Sequence, residues 1–212
     1  MLLDPQQSSD WRPVYQLLAS LVLPRPIAWV STISAEGTPN LAPFSFFNVV
    51  CANPPTVVFC PMLGRTGQPK DTISNLRAVP EFVIQVASRE LAEKMNLCSG
   101  EFAAEVDEFE VAGLTPVPSR KVSVPRVGQA RAFMECRLRE IITIGEGPGS
   151  GSLVLGEVVL FEVEDSLLVE GEVQIDGLAP IGRLAGADYC TVTDRFALQR
   201  PQPDDLGVPG RS

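Results

Sequence analysis

Residues 26–50 read PIAWVSTISAEGTPNLAPFSFFNVV, and this stretch decides the fold class. Its two flanks, Ile27 to Ile33 and Leu41 to Val50, are rich in β-branched and aromatic residues, which favour strands. Between them lies Glu36-Gly37-Thr38-Pro39, a composition typical of a turn. The stretch therefore predicts a hairpin of two antiparallel strands.

Further strands and a few short helices are predicted along the rest of the chain. Apolar residues recur at three- and four-residue spacing over residues 11–23, which predicts an amphipathic helix that lies across a barrel mouth. Predicted strands lie at Thr56 to Cys60, Glu81 to Ala87, Ala132 to Ile144 and Leu153 to Val163, and predicted helices at residues 72–78 and 89–97. Because strands and helices do not alternate regularly, the pattern favours a mainly β, antiparallel barrel with a few short helices.

We expect residues 1–212 to form a single domain, since one hydrophobic core commonly serves a chain of this length. Residues 99–131 mix acidic groups with prolines, and we predict an excursion with little regular structure there. Residues 145–151, GEGPGSG, fit neither the dinucleotide-binding motif nor the P-loop, so we predict a hairpin tip. The polar, proline-rich tail after residue 200 is expected to be loosely ordered.

Charge and composition exclude several classes of function. The formal net charge is −9, so binding to nucleic acid or to an anionic membrane is not expected. The chain has no histidine, which removes His-based catalytic triads and His-rich metal sites. Its five cysteines form no Cys-x-x-Cys pair, and no metal site is predicted. We find no membrane span or secretion signal and expect a cytoplasmic protein.

The tripeptide Lys70-Asp71-Thr72 precedes a short predicted helix. Free backbone N–H groups, the helix dipole, the Thr72 hydroxyl and the Lys70 ammonium could converge there on a phosphate. Taken alone, such a tripeptide is more often an ordinary helix cap, in which Asp71 or Thr72 bonds to backbone two or three residues on. Local chemistry alone leaves both interpretations open.

Residues 40–48, NLAPFSFFN, interleave aromatic side chains with small polar ones. This mixture suits a flat ring that needs apolar contact on its face and hydrogen bonds at its edge. For any one of these residues the commoner role is packing in a barrel core, with Ser45 and Asn48 capping a strand end. Trp29, Ser31 and Thr32 show the same mixture in the preceding strand.

An ordered set of motifs resembles the flavin reductase-like, FMN-binding split-barrel family, which includes flavoredoxin. The motifs are Arg25 to Thr32 (RPIAWVST), Asn40 to Asn48 (NLAPFSFFN), Lys70-Asp71-Thr72 with Asn75, Val106 to Phe109 (VDEF) with Ala112 to Thr115 (AGLT), Leu155 to Val159 (LGEVV), and Pro180 to Leu184 (PIGRL) with Tyr189. They cover roughly residues 14–200. The resemblance implies a split β-barrel homodimer that binds one FMN per subunit near the dimer interface, without a Rossmann domain.

The resemblance also implies where the cofactor binds. It places the flavin ring and ribityl chain near Trp29, Ser31, Thr32, Ser45, Phe46, Phe47, Asn48 and Cys51, and the phosphate near Lys70, Asp71 and Thr72, with Arg183 as a further polar contact. Many relatives carry a histidine just before the strand that reads LVLGEV here (residues 153–158), where this chain has Gly151-Ser152. Ser152 could donate one hydrogen bond but does not titrate near neutral pH.

The implied function is an oxidoreductase that passes electrons from NADH or NADPH through bound flavin to an unidentified acceptor. A flavin carries its own redox chemistry, so no catalytic side chain is predicted. Two alternatives remain open at this stage. The first is a flavin-holding electron carrier without nicotinamide turnover, and the second is a cofactor-free barrel that serves as an interaction module.

Overall fold

A seven-stranded antiparallel sheet forms the centre of the fold, with strand order β2-β1-β5-β8-β9-β4-β3. The computed structural model describes residues 2–8, 10–63, 67–203, 205 and 208. The strands are β1 Ala28–Ile33, β2 Pro39–Phe44, β3 Phe47–Ala52, β4 Pro55–Phe59, β5 Glu81–Val86, β6 Pro116–Val117, β7 Arg126–Val127, β8 Ala132–Ile144, β9 Gly151–Val163, β10 Leu168–Val169, β11 Glu172–Val173, β12 Ile181–Arg183 and β13 Tyr189–Thr191. The helices are α1 Arg12–Leu21, α2 Asp71–Ala78, α3 Ala92–Leu97, α4 Glu108–Val111 and α5 Ile175–Leu178, with 3-10 turns at Pro5–Gln7 and Asp165–Leu167.

The predicted hairpin is present, but its second strand is shorter than predicted. β1 and β2 pair antiparallel from Ala28↔Phe44 to Ile33↔Pro39. The prediction of one strand from Leu41 to Val50 is wrong, because the chain changes partner at Ser45-Phe46 and continues as β3, which pairs with β4. The two edge strands of the sheet are therefore consecutive in the chain. The two edges of the curved sheet, β2 and β3, are therefore joined by the chain itself at Ser45-Phe46 and not by a ladder of hydrogen bonds.

Aromatic side chains fill the inner face of the sheet. The rings of Phe44, Phe59 and Phe82 follow one another at centroid distances of 5.3 and 5.4 Å. Phe82 lies directly over Gly156 in β9, where a Cβ atom would come within 2.2 Å of the Phe82 ring. A residue without a side chain at position 156 thus makes room for a fully buried ring.

The outer face of β1 and β2 is covered by α3 and α4. Trp29 and Leu41 pack there with Met95 and Phe109, and all four side chains are buried. The sheet is therefore buried on both faces at this end, in agreement with the burial of five of the six residues of β1.

The excursion over residues 99–131 contains more regular structure than predicted, since it includes α4 and the short ribbon of β6 and β7. Its backbone is held by the buried carboxylate of Glu135, which accepts from the N–H groups of Arg120 at 2.8 Å and Lys121 at 2.6 Å. Glu81 accepts from the Ser123 N–H at 2.7 Å. Carboxylates on the sheet satisfy backbone groups that the loop itself leaves unpaired.

β8 and β9 form the long hairpin that the sequence predicts, with register from Ala132↔Val163 to Ile144↔Gly151. β9 begins at Gly151, so the connection is one residue shorter than the predicted tip. The predicted loose tail after residue 200 lies largely outside the described residues. Among the helices of the described ranges, none combines the length and apolar character that crossing a membrane requires.

Candidate functional site

The N-terminus of α2 opens onto a pocket of about 280 Å³. Lys70 precedes the helix in an extended conformation, and within the described residues no side chain caps the first turn. The N–H groups of Asp71 and Thr72 make no hydrogen bond to the described part of the chain, whereas the Ile73 N–H bonds Lys70 O at 2.9 Å. Free N–H groups and the positive end of the helix dipole make this pocket suited to an anion.

A buried polar network supports Thr72 from below. Asn40 Nδ2 donates to Thr72 Oγ1 at 3.2 Å and to Thr32 Oγ1 at 3.1 Å. Asn75 Nδ2 also donates to Thr32 Oγ1, at 3.1 Å. Because the Thr72 oxygen is already an acceptor, its O–H is free to donate into the pocket.

The walls of this pocket also carry negative charge. Lys70 Nζ lies 3.8 Å from Glu101 Oε1, and both side chains are partly exposed. Glu108 is buried and accepts from the Leu41 N–H at 2.9 Å. Burial raises the pKa of Glu108, and the nearby carboxylate of Asp71 raises it further. A neutral Glu108 would tolerate an anion in the pocket better than an ionised one.

We expect Glu108→Gln to stabilise the protein at neutral pH and to change its stability little in acid. Folding raises the pKa of Glu108, so its contribution to the free energy of unfolding is most favourable below the ordinary Glu pKa and declines as pH rises through the raised value. Glutamine keeps an oxygen for the Leu41 N–H and cannot ionise. Urea unfolding of both proteins across this pH window measures the difference.

Glu101→Gln is the matched control, because Glu101 borders the same pocket with an exposed side chain. It should show no comparable gain at neutral pH. If the free energy of unfolding differs between Glu108→Gln and the wild type by the same amount at every pH, the effect does not come from ionisation of Glu108.

A second pocket of about 200 Å³ continues from the first, since Pro43 and Ser99 line both. Ser45 and Arg183 lie along it. The Arg183 guanidinium lies 4.5 Å from the centre of the Tyr189 ring, and its Nη2 donates to Gly186 O. Together the two pockets form one groove that runs from the α2 N-terminus past Ser45 to Arg183.

Residues 20–174 match the family described as the flavin reductase like domain. The chain belongs to the flavin reductase-like family. This match covers most of the chain, and it includes both the first turn of α2 and the segment that ends β2. The groove residues Tyr15, Arg183 and Tyr189 lie outside the matched range.

Three solved structures share the fold. Nitrilotriacetate monooxygenase component B from Bacillus cereus is 34% identical, with a TM-score of 0.88 over 93% of this chain and 98% of that chain. The 2-nitrobenzoate 2-nitroreductase of Pseudomonas fluorescens is 33% identical, with a TM-score of 0.83 over 95% of this chain and 96% of that chain. A putative flavin reductase with a split-barrel domain from Shewanella frigidimarina is 21% identical, with a TM-score of 0.79 over 95% and 100%. The predicted mainly β split barrel is confirmed.

Of the site residues predicted for this flavin reductase-like chain, Lys70, Asp71, Thr72, Ser45 and Arg183 line the groove. The structure brings them together although more than 100 residues separate Thr72 from Arg183 in the chain.

Other predicted residues lie elsewhere in the subunit. Trp29 and Ser31 are on the outer face of β1, where Trp29 is fully buried and Ser31 Oγ donates to Pro125 O at 2.6 Å. Thr32 points to the opposite face and supports the groove through Asn40. These positions follow from the alternation of side chains along a strand.

The remaining predicted residues lie after Ser45, in the connection between β2 and β3 and in β3 itself. Phe46 lines a separate cavity, and Phe47 packs against the barrel core. Asn48 and Cys51 are exposed on β3, the edge strand, where Asn48 Oδ1 accepts from the Val49 N–H at 2.8 Å. Within one subunit, neither lines the groove.

Sequence reasoning missed several residues that line the groove, namely Asn40, Pro43, Asn96, Ser99, Glu108 and Tyr189. Four of them, Asn40, Pro43, Glu108 and Tyr189, lie within the motifs that carry the family resemblance. Their part in the groove depends on contacts between residues 32 to 93 positions apart in the chain, such as the Tyr189 hydroxyl donating to Asn96 Oδ1 at 3.2 Å. The family motifs could have identified these four residues as candidates, but the sequence does not show the contacts that place them in the groove.

Proposed function

We propose that this protein binds FMN in the groove and passes electrons from NADH or NADPH to an acceptor. The observation that carries the proposal is the N-terminus of α2, which no side chain in the described part of the chain caps. It opens on a groove that continues to Ser45 and Arg183. An anionic end and a longer polar and aromatic body are what FMN presents to a protein. Family membership supports a flavin as the ligand.

The residues present fit such a cofactor. The N–H groups of Asp71 and Thr72, the Thr72 hydroxyl and the Lys70 ammonium would hold the phosphate, and Lys70 would offset part of its charge. Ser45 and Arg183 would contact the remainder of the molecule. When bound, the flavin supplies the hydride and electron chemistry itself. This agrees with a chain that has no histidine to act as a general base.

We also propose that the functional unit is a cytoplasmic homodimer. The edge strand β3 exposes Val49 by 67% and Val50 by 52%, beside Asn48 and Cys51. An exposed apolar edge is a surface that proteins normally cover. In a dimer built on this edge, Asn48 and Cys51 would lie at the interface, near the flavin of one subunit or the other.

Two similar structures serve different reactions. One is a monooxygenase component and the other is a nitroreductase, and each is about one-third identical to this chain. For this chain we propose NADH or NADPH as the hydride donor.

The visible spectrum of the purified protein, followed by mass analysis of the compound that heat releases, tests for the cofactor. We expect a flavin spectrum and the mass of FMN. Anaerobic mixing with NADH and, separately, NADPH should then bleach the flavin band. A coloured protein that neither nucleotide bleaches would favour an electron carrier. A colourless protein that gains no absorbance with added FMN would favour a cofactor-free barrel.

A further inference from the structure

A cavity of about 550 Å³ lies between α1 and the tip of the β8–β9 hairpin, outside the groove. Three aromatic side chains form one wall. The Trp11 and Tyr15 rings meet edge to face at 6.0 Å, and the Tyr15 and Phe46 rings lie 6.2 Å apart. This volume falls within the range of small-molecule sites, which are mostly apolar with a few placed polar groups.

Close packing between distant segments shapes this cavity. The Trp11 ring lies against Gly149 in the hairpin connection, where a Cβ atom would come within 2.6 Å of the ring. Gly149 has a φ of +90°, a conformation that favours glycine. Glycine at this position therefore allows the indole to close over the hairpin tip.

The hydroxyl of one largely buried serine lines the same cavity. Ser152 is only 5% exposed, and its Oγ makes no hydrogen bond to the described part of the chain. Its N–H is used, since it donates to Pro61 O at 3.0 Å. Because the residue is otherwise buried and its oxygen is accessible from the cavity, the hydroxyl can form a hydrogen bond with a polar atom of a ligand there.

The charges of the lining select the kind of ligand. The described lining residues include no lysine or arginine, and the one carboxylate, Asp10, is bonded to Arg12 through its N–H at 3.0 Å and Nη1 at 3.1 Å. Cys60 also lines the cavity, and burial raises the pKa of its thiol, so it is neutral at physiological pH. An uncharged ligand suits this environment, and an anion does not.

We propose that this cavity binds an uncharged aromatic molecule of one or two rings that carries a hydrogen-bond acceptor for Ser152. The cavity adjoins the groove, because Tyr15 lines both and Phe46 directly follows the groove residue Ser45. The identification of this ligand as the electron acceptor rests on the proposed function. Binding itself needs no flavin.

Nitrobenzene is the probe, and isothermal titration calorimetry of the full-length protein, with and without saturating FMN, is the measurement. Val14→Trp places a large side chain at a lining position on α1 and should weaken binding by about tenfold or more. Ser152→Ala should weaken it by roughly five- to tenfold through loss of one hydrogen bond. Benzoate, which has the same ring and a negative charge, should bind at least about tenfold more weakly.

Two variants on the same helix serve as controls. Leu21→Trp and Ser20→Ala lie on α1 outside this cavity, and both should bind nitrobenzene as the wild type does. Nitrobenzene affinity that is unchanged in Val14→Trp, equal affinity for benzoate, or loss of the site when FMN is saturating would each overturn the proposal. FMN affinity is measured separately on every variant, so a protein that binds nitrobenzene but no FMN contradicts only the proposed function.

Discussion

Lys70→Ala and Thr72→Ala should each weaken FMN binding by roughly 10- to 100-fold while changing riboflavin binding by less than about threefold. A hydrogen bond to a charged group contributes about 1.5–3 kcal/mol, and riboflavin lacks the phosphate that would receive it. Lys70 is partly exposed and shares its charge with Glu101, so its effect should lie at the lower end of this range. Titration of each flavin, followed by its fluorescence, gives both affinities.

Two further variants distinguish a phosphate contact from a general disturbance of α2. Ser74→Ala removes an exposed hydroxyl from the same helix and should leave FMN binding unchanged. Thr72→Ser keeps the hydroxyl and should retain most of the affinity. Equal losses for FMN and riboflavin in Lys70→Ala and Thr72→Ala would show that the phosphate binds elsewhere.

The sequence predicted α2 and its anion-binding potential because both depend on neighbouring residues. The same tripeptide could equally have been a cap, since capping and phosphate binding use the same N–H groups. Only the structure shows that no described side chain caps α2 and that a pocket opens beside it. The hydrogen bond from Asn40 to the Thr72 hydroxyl, which spans 32 residues of chain, is likewise a contact that the local sequence does not show.

The limits of the fold prediction have the same origin. Strand propensity over residues 41–50 is continuous, so nothing local marks the point where the chain leaves β1 and begins to pair with β4. The change of partner at Ser45-Phe46 is a property of the whole sheet. At this link, Arg25 Nε donates to Ser45 Oγ at 3.3 Å. The two Nη atoms of Arg25 donate hydrogen bonds to the carbonyl groups of Ala19, Val22 and Leu184.

Strand periodicity carried information that the family motifs did not. Adjacent residues of a strand point to opposite faces, so Ser31 and Thr32 could not both line one groove within a subunit. The structure places Ser31 against the excursion and Thr32 beneath α2. The alternation of side chains along a strand is therefore enough to assign Ser31 and Thr32 to different faces from the sequence alone.

The largest expected effect on stability concerns Phe82 and Gly156. Phe82→Ala should lower the free energy of unfolding by about 3–5 kcal/mol, because it removes a fully buried ring from the barrel interior. Gly156→Ala should cost about 1–3 kcal/mol or more, since the new methyl group would collide with the Phe82 ring at 2.2 Å. Urea unfolding at one protein concentration measures both, which keeps any effect of association constant.

The double variant tests whether these two costs share one cause. In a Phe82→Ala background the methyl group at position 156 meets no ring and fills part of the cavity, so Gly156→Ala should be nearly neutral there. The coupling energy should reach about 1–3 kcal/mol, as found for residues in direct contact. Phe196→Ala, at a side chain that is 86% exposed, controls for the loss of a phenyl ring without loss of packing. Strictly additive effects of the two substitutions would contradict a contact between Phe82 and Gly156. If glycine were required only for its backbone conformation, Gly156→Ala would lower the free energy of unfolding by the same amount with or without the Phe82 ring.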